Sequence, residues 1–246
     1  MISTRELAKD FHGFRAVDGV NLEVKAGSMH ALVGPNGAGK TTLFNLLTGF
    51  IQPSEGRILI DDVDVTSMAP EQIAKAGVAR SFQITSLFAE LSLMNHVELA
   101  IQGRSGLGMR FWRSDKRLHA YSDEAHELLR QVGLDDHAIR AAGTLSYGQK
   151  RALELALALA LKPKLLLLDE PTAGMGVEDV ARTIDLIARI REGRTVVMVE
   201  HNMKVVGSLA DRVTVLQFGQ ILAAGSYDEV RADPRVVTAY LGTSVA

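Results

Sequence analysis

Two runs in this chain are apolar without interruption: four leucines at 165–168, and Thr-Val-Val-Met-Val at 195–199. A strand open to water on one face alternates apolar with polar positions, whereas a parallel strand covered by helices on both faces is apolar throughout. Both runs are therefore expected as parallel strands of an α/β core. Further strands are expected at 20–24 and 29–33, around an Ala26-Gly27 turn, and at 58–60 before the Asp61-Asp62 turn. Residues 41–47 and 177–191 read as helices, 213–216 with 221–223 as a closing hairpin, and 227–231 and 236–241 as two short final helices.

Between about residues 84 and 160 the period changes. Ala125, Leu128, Leu129 and Val132 recur at helical spacing, so a helical subdomain is expected between strands of the core. Within it, 103–117 is rich in Gly, Ser and Arg and is expected to form a surface loop. Its Arg104, Arg110, Phe111, Trp112, Arg113, Lys116 and Arg117 mix cations with aromatics, a combination that suits lipid headgroups or a membrane-protein partner. A solvated loop with Trp112 tucked against the domain is the plainer expectation. The most apolar stretch, 152–168, is broken by Glu154, Lys162, Pro163 and Lys164. A membrane-spanning helix needs roughly 20 apolar residues in succession, so this stretch reads as a buried helix followed by a buried strand. Met1-Ile-Ser-Thr-Arg-Glu puts charge where an export signal needs an apolar core, and no such signal is expected.

A chain of 246 residues can hold one large α/β domain, or a core with a smaller subdomain. The net charge of −2 carries no basic footprint, so no nucleic-acid partner is expected. The absence of cysteine excludes a disulfide framework, thiol catalysis and a Cys-bound metal, and fits a reducing cytoplasm.

Gly34-Pro35-Asn36-Gly37-Ala38-Gly39-Lys40-Thr41 fits the pattern G-x-x-x-x-G-K-[ST], with an apolar strand before it and an amphipathic helix after it. Glycines let the backbone wrap closely, so that successive N–H groups converge on anionic oxygens, and the following helix adds its positive N-terminal end. Lys40 is expected on the β- and γ-phosphates of a nucleoside triphosphate and the Thr41 hydroxyl on Mg²⁺, with Thr42 completing the contact set. The leucine run ends in Asp169-Glu170, which delivers two carboxylates to the sheet edge where the phosphate loop opens. Asp169 is expected to hold Mg²⁺ through water, and Glu170 to act as the general base on the attacking water. A guanine-reading Asn-Lys-x-Asp, which a GTPase switch would need, is absent.

Leu145-Ser146-Tyr147-Gly148-Gln149 precedes the acid-tipped strand and opens an expected helix at 150–161. It resembles the LSGGQ signature of ABC-transporter ATPases, with Tyr147 in place of the first glycine. The resemblance runs from Phe11 to the final helices. It implies an α/β fold with a P-loop NTPase core of ABC type, an N-terminal antiparallel β-subdomain and an inserted helical subdomain. The whole of 1–246 would be one ABC ATPase domain, with 1–83 and 162–246 as RecA-like core plus β-subdomain and 84–161 as the helical signature subdomain. The cofactors implied are ATP and Mg²⁺. Gln83 matches the Q-loop glutamine beside Mg²⁺, and His201 the switch histidine that senses the γ-phosphate. Phe11 matches the aromatic that stacks on adenine, with Phe14 as the fallback. Ser146, Tyr147, Gly148 and Gln149 would cap the nucleotide of an opposite protomer.

More narrowly, Ala16-Val-Asp-Gly-Val20, Leu46-Leu-Thr-Gly-Phe50, residues 142–149 and Ala239-Tyr-Leu-Gly242 resemble the ATP-binding subunits of branched-chain amino acid importers and their relatives in hydrophobic amino acid and urea uptake. Lipopolysaccharide-exporter ATPases share parts of these stretches, leaving a lipid exporter as the alternative. The partners implied are transmembrane permease subunits, a second ATP-binding subunit, identical or homologous, and indirectly a periplasmic solute-binding protein. The place implied is the cytoplasmic face of the plasma membrane, with the permease near 83–94. The pattern departs from many relatives at Gly176, where they carry an aspartate. A helper contact would then come from backbone, or from Glu178 or Asp179.

Overall fold

The computed structural model describes residues 1–81, 87–104 and 115–241. The elements in chain order begin with β1 (Ile2–Phe11), β2 (Phe14–Val20), β3 (Glu23–Val24), β4 (Met29–Val33), α1 (Lys40–Leu47), β5 (Glu55–Ile60), β6 (Val63–Asp64), α2 (Pro70–Lys75) and β7 (Val78–Ser81). Three helices follow, α3 (Leu93–Arg104), α4 (Asp115–Gln131) and α5 (Tyr147–Ala160). The remainder comprises β8 (Leu165–Asp169), α6 (Val177–Ile190), β9 (Thr195–Val199), α7 (Met203–Leu209), β10 (Arg212–Gln217), β11 (Gln220–Gly225), α8 (Tyr227–Ala232) and α9 (Pro234–Leu241).

The chain forms two compact units, one of residues 1–80, 164–171 and 191–246, the other of 81–163 and 172–190. The first is built on two sheets. Strands β2, β1, β5 and β6 lie in that order, with β3 also on β1, and β1 with β2, β3 and β5, and β5 with β6, pair antiparallel. The second sheet has the order β11-β10-β4-β9-β8-β7. Pairing is parallel across β10, β4, β9 and β8, and β11 closes the edge as an antiparallel hairpin partner. Strands β4, β8 and β9 are buried at every position, as uninterrupted apolar strands require. Their core joins Leu32, Leu165, Leu167, Val197 and Val199 to Leu43, Phe44, Leu46 and Leu47 of α1. Each such side chain contributes roughly 1.5–3 kcal/mol by leaving water, which fixes α1 and hence the loop before it.

Strands β1 and β2 are not evident from the pattern of the chain. The physical reason is a shift in register between Arg5 and Ala8 on β5, with further shifts on β2, so that alternation breaks where Glu6 turns to φ 47°. Asp61 and Asp62 both take left-handed backbone, as a two-residue hairpin turn demands.

The second unit packs α3, α4 and α5 through Leu93, Val97, Ile101, Leu129, Leu153 and Leu159, and α6 groups with it. The face of α4 marked by Ala125, Leu128, Leu129 and Val132 is the buried one. The loop expected at 103–117 is narrower than its composition suggests, because α3 runs through Gly103 and Arg104 and α4 starts at Asp115. Arg104 is not a surface cation. It pairs with Glu124 at 2.7 Å and donates to the Ala160 carbonyl at 2.6 Å, satisfying the end of α5. Arg110, Phe111, Trp112 and Arg113 lie outside the described residues, as do the side chains of Lys116 and Arg117.

Candidate functional site

The buried strand β4 ends at Val33 and the chain then turns through residues 34–39 into α1. Two glycines here are obligatory. A Cβ on Gly34 would sit 2.2 Å from the Leu216 carbonyl oxygen, and one on Gly39, at φ +97°, 2.4 Å from that of Ala16. No residue but glycine lets the loop lie so close to β2 and β10. Helix α1 has no side-chain cap, so no capping side chain satisfies its first amide N–H groups, a helix end chemically suited to an anion. Pro35 is half-buried, Asn36 and Gly37 are exposed, and Ala38 is buried beneath them. Thr41 is exposed and Thr42 half-buried at the start of the helix.

Lys40 is buried and its Nζ donates to the carbonyls of Gly34 at 2.8 Å and Pro35 at 2.9 Å. Burial pushes its ammonium below the ordinary lysine value, while the charges of Glu170 and Asp169 pull it back up. Strands β4 and β8 flank β9 in parallel, so the loop after Val33 and the acids after Leu168 leave the sheet at the same edge. Asp169 closes β8, with Arg80 on its carboxylate at 2.5 Å. Glu170 follows in left-handed backbone, φ 46°, its N–H on the Val199 carbonyl at 3.0 Å. A non-glycine residue held there is strained, as residues at working sites often are. His201 stands 4.0 Å from the Glu170 carboxylate, through Nδ1. The turn that carries it is fixed by the fully buried Glu200, whose Oε2 accepts the N–H of His201 at 2.9 Å and of Asn202 at 3.0 Å.

Phe11 and Phe14 face each other in register across the β1–β2 hairpin, 41% and 66% exposed. Lys9 lies 5.2 Å over the Phe11 ring. Strand β2 brings this aromatic pair toward the phosphate loop, since its Ala16 carbonyl is the group that crowds Gly39.

The signature stretch belongs to the second unit. Ser146 caps α5, its hydroxyl accepting from Gln149 N–H at 3.3 Å while Gln149 Oε1 accepts the Ser146 N–H at 3.0 Å. Tyr147 is half-exposed; its Oη donates to the Ala173 carbonyl at 3.0 Å and accepts from Arg151 at 3.1 Å. Gly148 lies against the Asp179 carboxylate, which would be 3.2 Å from an added Cβ. Asp179, unlike the exposed Glu178, thus borders the signature turn within the same unit. A cavity of ≈ 500 Å³ opens here, lined in part by Ser146, Gly148, Gln149, Arg151, Asp179 and Arg182.

The first unit therefore assembles Lys40, Asp169, Glu170 and His201, and the second presents Ser146 to Gln149; Gln83 lies outside the described residues. Three polar groups at the site escape motif reading: Arg80, its hydrogen-bond partner Asn45, and Glu200. The signal for Arg80 was a cation inside an otherwise apolar stretch, Val78-Ala79-Arg80.

A family model described as "ABC transporter" matches residues 17–173. The chain belongs to that family, and is an ATP-binding ATPase cassette of it. A second model, "Branched-chain amino acid ATP-binding cassette transporter", matches residues 220–246. The chain is 39% identical, over 98% of each protein, to the high-affinity branched-chain amino acid transport ATP-binding protein LivG of Escherichia coli K12. Its fold superimposes with a TM-score of 0.86, at 30% identity and 98% coverage of both chains, on the ADP conformation of an ATP-binding cassette of an ABC transporter. It also resembles a dimeric post-hydrolysis cassette bound to ADP and Pi, with a TM-score of 0.77, 25% identity, and coverage of 92% of this chain and 99% of that one. No helix among the described residues is long and apolar enough to cross a membrane.

Proposed function

We propose that this chain hydrolyses ATP on the cytoplasmic face of the plasma membrane to drive a permease importing branched-chain or related amino acids. The solute class is supported by the full-length similarity to LivG together with the branched-chain match over the final hairpin and helices. A solute-binding protein on the far side would deliver the amino acid.

The observation that carries the catalytic reading is that the glycine loop after β4 and the Asp169-Glu170 pair after β8 leave the parallel sheet at one edge, on either side of β9. In this reading the N–H groups of residues 34–39 and Lys40 hold the phosphates, and Phe11 stacks on the base. Glu170 orients water and takes its proton as the water oxygen attacks the γ-phosphorus and the bond to the β-phosphate oxygen breaks. The ADP oxygen leaves with its electron pair. His201, 4.0 Å from Glu170, contacts the γ-phosphate and reports its loss. Ser146, Tyr147, Gly148 and Gln149 of the opposite subunit close the site, so ATP forms part of the interface.

The donor set suits Mg²⁺. Thr41 and Asp169 offer hard oxygens, and no cluster of three or more His, Cys, Asp or Glu among the described residues forms a dedicated metal cage. Mg²⁺ usually shares a few such oxygens with substrate phosphates. Thr41, Asp169 and Gln83 would hold it, and it would neutralise charge on the β- and γ-phosphates.

Reconstitution of the chain with its permease and cognate binding protein tests the assignment. ATP-dependent uptake of leucine, isoleucine or valine into proteoliposomes is the expected result. Uptake of no amino acid, with export of a lipid instead, would overturn the solute class and leave the ATPase intact.

A further inference from the structure

Arg80 of β7 is a cation that none of the roles above employs. Its guanidinium is 10% exposed and lies 5.6 Å over the ring of Phe44 and 5.9 Å over that of Phe50. One nitrogen, Nη1, donates to Asn45 Oδ1 at 2.6 Å; Nη2 donates to Asp169 Oδ2 at 2.5 Å. The Asp169 carboxylate is 4% exposed. All these residues lie in the first unit, and Arg80 is fixed on three sides before it reaches the acid.

A planar guanidinium clamped in this way restricts its partner to one rotamer, which a flexible ammonium would not do. It also cancels the charge a free cation would seek. Arg80 is paired with Asp169, and Lys40 feels the charges of Asp169 and Glu170, so the two cations offset the two acids. A dication arriving alone would have to displace a buried ion pair and leave Arg80 uncompensated. One arriving with a triphosphate brings negative charge that can compensate Arg80 as its hold on Asp169 is loosened.

We propose that Arg80 is a positioning residue for Asp169 that keeps the site from capturing a divalent cation ahead of the nucleotide, so that metal and triphosphate enter together. The proposal rests on the reading of Asp169 as the acid that serves the metal.

The test follows Mn²⁺ by loss of its free paramagnetic resonance signal as the whole chain is added, first without nucleotide and then with a non-hydrolysable ATP analogue. Arg80→Met is expected to bind Mn²⁺ without nucleotide about tenfold or more tightly than the parent, since a unit charge beside the carboxylate has gone. Arg80→Lys, which keeps the charge and loses the fork, should stay within a few-fold of the parent in that assay. The double variant Arg80→Met/Asp169→Asn should lose the gain. Equal nucleotide-free Mn²⁺ binding by the parent and Arg80→Met overturns the proposal, as does a gain that survives Asp169→Asn. If Arg80→Met does not fold, Arg80→Gln, which retains a donor for Asn45, carries the same comparison. The parent reading of Asp169 fails separately, if Asp169→Asn alone leaves Mn²⁺ binding in the presence of the analogue unchanged.

Discussion

The hydroxyl of Tyr147 donates to the carbonyl of Ala173 at 3.0 Å, tying the start of the signature helix to the loop that follows the Asp169-Glu170 pair. Arg151 reinforces the tie from behind, lying 5.4 Å over the Tyr147 ring and 2.7 Å from Glu154 in a buried pair. The start of the signature helix thus carries an aromatic strut within one unit.

Removal of that strut should be visible in stability and in turnover. Tyr147→Phe is expected to cost about 0.5–1.5 kcal/mol, the usual net value of one hydrogen bond. In a chain of this size that lowers Tm by roughly 2–4 °C per kcal/mol. Nucleotide affinity of the isolated subunit should stay the same while dimer-dependent ATPase falls several-fold. A scanning calorimetry trace and ATPase rate both equal to the parent's would show that the phenol does nothing here.

Glu170→Gln should bind ATP, lose about 10²–10⁴-fold in turnover as expected for a missing general base, and accumulate as an ATP-bound dimer on gel filtration. Lys40→Ala should instead fail to retain nucleotide. Hydrolysis by Glu170→Gln at the parent rate would assign the base elsewhere.

Gly39→Ala tests the loop geometry directly. The added methyl meets the Ala16 carbonyl at 2.4 Å from a backbone at φ +97°, so both space and conformation oppose it. Loss of nucleotide binding together with a lowered Tm is expected. Fluorescent-nucleotide titration checks the first and thermal unfolding the second.

His30 makes stability depend on pH. Buried in β4 with Nε2 2.9 Å from Thr214 Oγ1, it is pushed down to about 4 from its ordinary 6.5, by burial first and by Arg212 second. The unfolded chain therefore binds more protons than the folded one between those values. Stability from this group is fully present above about pH 6.5 and is lost as pH falls toward about 4. The difference amounts to about 3 kcal/mol at most. His30→Gln should flatten that part of the Tm-against-pH curve; an unchanged slope would place the titration on another group.

Much of the site was legible because its chemistry is local. Gly34 to Thr41 and Ser146 to Gln149 are contiguous segments whose backbone shape follows from their own residues: glycines where a Cβ collides, a serine where a helix needs a cap. The parallel strands β8 and β9 were legible for a similar reason, since burial on both faces leaves no polar position to alternate. What the amino-acid order alone determined was therefore the glycine-built loop before α1, the acid-tipped strand, the capped helix at Ser146 and the family they belong to. Tertiary structure alone decided that β1 and β2 form a bulged hairpin, that Arg80 meets Asp169 from 89 residues away, and that Tyr147 reaches Ala173. Such contacts join residues distant in the chain, and a lone arginine or tyrosine carries no mark of the partner that folding will bring to it.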